Sequence, residues 1–188
     1  DMNEFRDRHS HLPVTEITKK RWLKLIGQRR LWKTFLSNYE ESADPKLQCL
    51  YARSLYGTGQ KNKSFEFAKD LWTNSTSQSK LCDPLFEIWK KTSHFSQEIV
   101  WSRLKLTIGE NQRQLSRYLL RYLTGTNRRI GQLLYSIHIN PDRLAQFKSV
   151  KASEDKERDL IIYGLSKLSI KNPDKAAKVW IKLSPRYA

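Results

Sequence analysis

The groups this sequence would need for acid–base, metal or thiolate chemistry are carboxylates, histidines and cysteines, and it offers each sparsely. Two adjacent acids, Glu40 and Glu41, come first, because cleavage at a glycosidic bond runs through carboxylates. They precede Asp44-Pro45 in what reads as a connecting turn, a setting that suits solvated side chains better than a catalytic acid. Among the four histidines, His9 and His11 are spaced to chelate a metal ion weakly from the polar start, whereas His94 reads as a surface residue and His138 as a helix-end residue. The two cysteines, Cys49 and Cys82, have no histidine pair nearby to complete a four-ligand zinc site. They leave two readings open, one disulfide or two buried thiols. Phosphate-cradling loops of the GxxxxGKS/T or GxGxxG type are absent, as are HExxH and the GxSxG elbow. The expectation is no catalytic residue, no metal and no cofactor.

The basic residues give the one positive signal. The 188 residues carry a formal charge of +16, which favours polyanionic partners such as nucleic acid, an anionic lipid surface or an acidic polymer. Between Ile99 and Ala152 stand ten basic residues (Arg103, Lys105, Arg113, Arg117, Arg121, Arg128, Arg129, Arg143, Lys148 and Lys151) against two acidic ones, Glu110 and Asp142. Arg113, Arg117 and Arg121 recur every four residues and so would line one helix face. Like charges at that spacing repel mildly, so a polyanion or an acidic neighbouring domain would relieve them. The competing reading is a solvated face whose arginines lie over apolar neighbours. A second cluster, Lys19, Lys20, Arg21, Lys24, Arg29 and Arg30, reads as a solvated helix surface.

The elements that must position these residues are helices. Hairpin turns of the Asn-Gly or Asp-Gly type and sustained period-2 alternation are missing. Asp44-Pro45, Asp83-Pro84, Asn140-Pro141 and Asn172-Pro173 each set an Asx side chain to cap free N–H groups, with proline at the first helical position. Apolar spacing predicts helices near 15–26, 29–38, 45–57, 62–73, 84–93, 96–108, 111–124, 127–139, 141–149, 154–170 and 173–183. Val100, Trp101, Leu104 and Ile108 make one apolar face; Ala176, Val179, Trp180 and Leu183 make the last. Connections are short, so neighbours should pack antiparallel. Tyr51-Ala52, Gly59-Gln60 and Ala68 to Trp72 are paralleled by Tyr163-Gly164, Asn172-Pro173 and Ala176 to Trp180, a weak repeat of helix, corner and helix. The expected fold is all-α, a right-handed α-superhelix or solenoid of antiparallel, irregular tetratricopeptide-like pairs. Residues 1–12 read as a flexible polar start and 13–188 as the superhelical part. No apolar run is long enough to span a bilayer, and the start lacks the basic and apolar regions of a signal peptide.

From Gln48 to Trp89 the chain resembles the non-catalytic α-superhelical domain of soluble lytic murein transglycosylases. The matching residues are Gln48-Cys49-x-Tyr51-Ala52, the Gly59-Gln60 corner, Ala68-Lys69-Asp70-Leu71-Trp72, and Cys82-Asp83-Pro84-Leu85-Phe86 with Trp89. Flanking matches are Arg30 to Phe35, Trp101 to Leu104 and Asn172 to Ala177, which extend the resemblance over roughly 13–183. It implies a periplasmic parent that cleaves the β-1,4 bond of peptidoglycan between N-acetylmuramic acid and N-acetylglucosamine, leaving 1,6-anhydro ends. It also implies a Cys49–Cys82 disulfide, since the periplasm is oxidising. Glu41-Ser42 resembles the Glu-Ser pair of lysozyme-like catalytic domains, but the Gly-Leu-Met-Gln segment that follows that pair is missing, and the sole methionine is Met2. The implied role is therefore a scaffold for a C-terminal catalytic domain not contained in this sequence, with Arg113, Arg117 and Arg121 as the candidate peptidoglycan-binding residues. Two rivals stand beside it: a basic α-solenoid that binds nucleic acid, and a tetratricopeptide-like protein-interaction module. Aromatic residues at buried spacing count against the first, because single-strand readers expose rings to stack on bases.

Overall fold

Three of the four Asx-Pro signals start helices as their chemistry demands. Asp44 accepts a hydrogen bond from the Lys46 amide at 2.9 Å, Asn140 from the Asp142 amide at 3.2 Å, and Asn172 from the Lys175 amide at 3.0 Å. The fourth differs: Ser79 caps a short 3-10 turn, Lys80–Cys82, and Asp83 lies inside the helix that follows. A computed structural model describes residues 8, 13–150 and 153–187 of the chain. The expectations for the polar start, His9 and His11 included, and for Lys151 fall outside the described residues.

Those residues form α1 (Pro13–Gln28), α2 (Trp32–Asn38), α3 (Pro45–Gly57), α4 (Lys61–Trp72), α5 (Asp83–Trp89), α6 (Gln97–Gly109), α7 (Arg113–Leu119), α8 (Gly125–Ile139), α9 (Glu154–Lys171) and α10 (Pro173–Tyr187). No strand occurs among the described residues, and no helix among them is long and apolar enough to cross a membrane. Four expected helices are shorter than the pattern suggested: the one expected over 29–38 begins at Trp32 and the one expected over 84–93 ends at Trp89, and two others give way to 3-10 turns. The one expected over 111–124 stops at Leu119 and continues as a 3-10 turn, Leu120–Tyr122. The one expected over 141–149 is a 3-10 turn, Pro141–Gln146. Beyond it, Ser149 Oγ and the Val150 amide donate instead to the buried Glu157 carboxylate, at 2.7 and 3.0 Å. A side chain thus satisfies a donor that a helix ladder would otherwise use.

The chain divides into two compact units, one ending at Phe95 and one beginning at Ser96. In each, helices adjacent in sequence pack on one another, α3 on α4 and α9 on α10 among them, giving an all-α layout. In the first unit Leu23, Ile26, Phe35, Leu47 and Leu50 make one core. Trp72, Trp89 and Phe95 make another with ring centroids 5.0–5.8 Å apart, spacings at which edge-to-face contacts are favourable. The α3–α4 corner needs Gly59, whose φ of 89° belongs to the left-handed region. Cys49 and Cys82 form a disulfide, Cα atoms 4.7 Å apart, that ties α3 to the turn before α5. In the second unit Val100, Leu104, Ile108, Leu119, Leu134, Leu160 and Leu168 are buried. Trp180, expected on the inner face of α10, is 41% exposed.

Candidate functional site

Arg113 and Arg117 stand on α7, and Arg121 on the 3-10 turn after it; all three are exposed. The tighter winding of that turn breaks the single helical stripe that four-residue spacing implied. Local contacts organise the surface instead. Arg113 Nε donates to Asn111 Oδ1 at 3.2 Å, and the Arg121 guanidinium lies 5.5 Å from the centre of the Tyr118 ring. Tyr118 and Tyr122 meet edge to face, centroids 5.3 Å apart, with their hydroxyls hydrogen-bonded to each other. No carboxylate among the described residues forms an ion pair with Arg113, Arg117 or Arg121.

Arg103, one of the ten basic residues of this region, is not on the surface. It is 4% exposed, and burial pulls its guanidinium down to about 10 against the opposing influence of Tyr118 and Tyr122. Spacing contained the signal: Arg103 follows Val100 by three residues and precedes Thr107 by four, so it shares their buried face. Lys105 is also committed, to Asp159 at 2.7 Å. What remains is a surface of guanidinium groups and two tyrosine rings. Such a surface can contact carboxylates through the former and the C–H faces of a ring through the latter.

A polar chain that sequence reading missed adjoins it. His138 Nδ1 lies 2.6 Å from the Tyr163 hydroxyl and Nε2 lies 3.1 Å from Asn111 Oδ1, the oxygen that also takes Arg113. Asn111 holds this position with φ at 54°, which asparagine tolerates better than most residues. Burial first, then Arg113 and Lys167, lower the His138 imidazole below its ordinary value. The chain therefore favours neutral histidine and orients Arg113.

The other candidates do not gather into a site. Glu40 takes Lys19 Nζ at 2.5 Å and Asp44 takes Lys24 Nζ at 2.6 Å, so two members of the cluster from Lys19 to Arg30 are paired and not merely solvated. Glu41 is exposed, in the connection between α2 and α3. His94 is exposed and packs against the Phe65 ring at a tilt, centroids 5.3 Å apart. Among the described residues no group of three His, Cys, Asp or Glu side chains could hold a metal ion.

No family model matches the chain. The soluble lytic murein transglycosylase of Escherichia coli K12 is 22% identical over 166 residues, covering 88% of this chain and 26% of the relative. That of Salmonella typhimurium is 22% identical over 160 residues, 85% of this chain and 25% of the relative. Among solved structures, an inactive mutant of the lytic transglycosylase Slt from Pseudomonas aeruginosa matches at 32% identity with a TM-score of 0.80, over 98% of this chain and 30% of that one. A 70 kDa soluble lytic transglycosylase in complex with bulgecin A has the same fold over 98% of this chain and 30% of its own, at 20% identity and a TM-score of 0.80. The chain spans about a quarter of the length of the curated relatives it matches. Nearly all of it is similar to one part of such proteins.

Proposed function

We propose that this chain, similar along nearly its whole length to part of the soluble lytic murein transglycosylases, is a non-catalytic scaffold segment of a periplasmic member. It positions a catalytic domain carried elsewhere in the parent and contacts the anionic glycan strand through Arg113, Arg117 and Arg121. The parent would cleave peptidoglycan at the β-1,4 bond after N-acetylmuramic acid and leave 1,6-anhydro ends; this segment supplies support and contact. The observation that carries the reading is the match of almost the entire chain to under a third of the Pseudomonas aeruginosa enzyme. The Cys49–Cys82 disulfide supports an oxidising compartment. The exposed arginines, without carboxylate partners among the described residues, support the contact surface.

The contact is tested by retention on isolated sacculi. Changing Arg113, Arg117 and Arg121 to Glu should weaken retention roughly tenfold, taking about half a kcal/mol for each reversed surface charge. Retention should also fall with salt. Unchanged retention of the triple variant removes the surface role.

A further inference from the structure

The first unit holds a cleft that the glycan-strand surface does not use. Its volume is about 290 Å³, and it opens where the corner after α1, α2, the end of α3 and α5 meet. Leu85 and Ile88 give it an apolar wall, Trp32 and Tyr56 two aromatic rings, and Arg30 and Arg53 two guanidinium groups. The indole wall depends on a glycine. A Cβ at Gly57 would lie 2.3 Å from both Trp32 Cδ1 and Nε1, so only a bare backbone lets the ring lie flat on the end of α3.

The arginines are placed rather than merely present. The Arg53 guanidinium carbon sits 5.4 Å from the Trp32 ring centre, and Nη1 donates to the Leu81 carbonyl at 3.3 Å. Ring contact and hydrogen bond together hold the guanidinium in place and leave its remaining N–H groups for another acceptor. Arg30 stands at φ 59°, a left-handed conformation that disfavours a side chain. Burial first, then the charge of Arg30, push the Arg53 guanidinium below its ordinary value. Neither arginine has a carboxylate partner among the described residues. Two like charges thus converge on a cleft walled by rings and aliphatic side chains, where a carboxylate would relieve both through charge-assisted bonds.

We propose that this cleft binds a small organic acid, its carboxylate bridging Arg30 and Arg53 and its flat apolar body lying between Trp32 and the Leu85–Ile88 wall. The volume selects a small ligand over a chain segment: about 290 Å³ lies at the low end for small-molecule sites. The proposal uses none of Arg113, Arg117 and Arg121, so its failure and that of the glycan-strand reading are separate events.

Phenylacetate is a suitable probe, with phenylacetamide as its neutral isostere. The Trp32 indole N–H signal of the full chain, assigned with Trp32→Phe, is followed by nitrogen–proton correlation spectra during titration. Phenylacetate should shift that signal saturably, and phenylacetamide should bind at least roughly tenfold more weakly, the loss expected of a charge-assisted contact. Arg53→Gln and Arg30→Gly should each weaken phenylacetate by a similar factor. Glycine adopts φ 59° without steric cost, so Arg30→Gly removes the guanidinium without straining the corner. Equal binding of acid and amide, no saturable shift with the acid, or undiminished affinity in Arg30→Gly would overturn the proposal.

Discussion

Asp142 shows how much a single carboxylate can organise. Its Oδ2 takes Lys171 Nζ and its Oδ1 takes Lys175 Nζ, each at 2.5 Å. One side chain on a 3-10 turn thereby holds the end of α9 and the start of α10. These two hydrogen bonds lower its carboxyl to about 2, below the ordinary value near ~3.9. The folded state therefore binds fewer protons than the unfolded one in that interval, so the stabilisation is complete above about pH 4 and fades as pH falls towards 2. Asp142→Asn should lower the melting temperature at neutral pH, and thermal melts should show the difference shrinking between pH 4 and 2. A gap that persists undiminished at pH 2 contradicts the assignment. Arg113, Arg117 and Arg121, singled out by residue type and spacing, are exposed; the same reading did not show that Arg121 stands on a 3-10 turn. It missed His138 with Tyr163 and Asn111, because those contacts join positions 25 and 27 residues apart in sequence. It also placed Arg103 with the surface charges, although its neighbours at three- and four-residue spacing are buried.

Among the elements, α3 carries the most connections: the disulfide, the Gly59 corner and the glycine against which Trp32 lies. The bridge joins residues 33 apart, so the chain-entropy view gives it about 4 kcal/mol through restriction of the unfolded chain. Replacing both cysteines by serine should cost up to that amount in urea unfolding, and a loss below about 1 kcal/mol would mean that the bridge is not what constrains the unfolded state. Gly57→Ala should cost about 1–3 kcal/mol by overpacking, in spite of alanine's better helix propensity, and should move the Trp32 signal. A variant as stable as the parent would show that the indole is free to shift. Helix existence was legible because capping chemistry and apolar spacing are local. The 3-10 turns at Leu120–Tyr122 and Pro141–Gln146 were not, since the contacts at each are tertiary: Gln97 donates to the Tyr122 carbonyl and accepts from the Thr124 amide, Glu157 draws in the Ser149–Val150 segment, and lysines from α9 and α10 clamp Asp142.

At the scale of the whole molecule, two compact helical units carry a charge of +16, with exposed arginines in the second and a cleft of about 290 Å³ in the first. The family likeness was legible in about forty residues, from Gln48 to Trp89, where cysteine, glycine and tryptophan positions coincide with the bridge, the corner and the core. The function proposed at this scale is holding without cutting; Arg113, Arg117 and Arg121 are exposed, whereas Lys19, Arg103 and Lys156 are buried. Incubating the purified chain with isolated sacculi, and measuring both sedimented protein and released 1,6-anhydro muropeptides, addresses this most directly. Salt-sensitive sedimentation with no soluble anhydro product is the predicted result. Release of anhydro muropeptides by the chain alone, or protein left wholly in the supernatant at low salt, would contradict it.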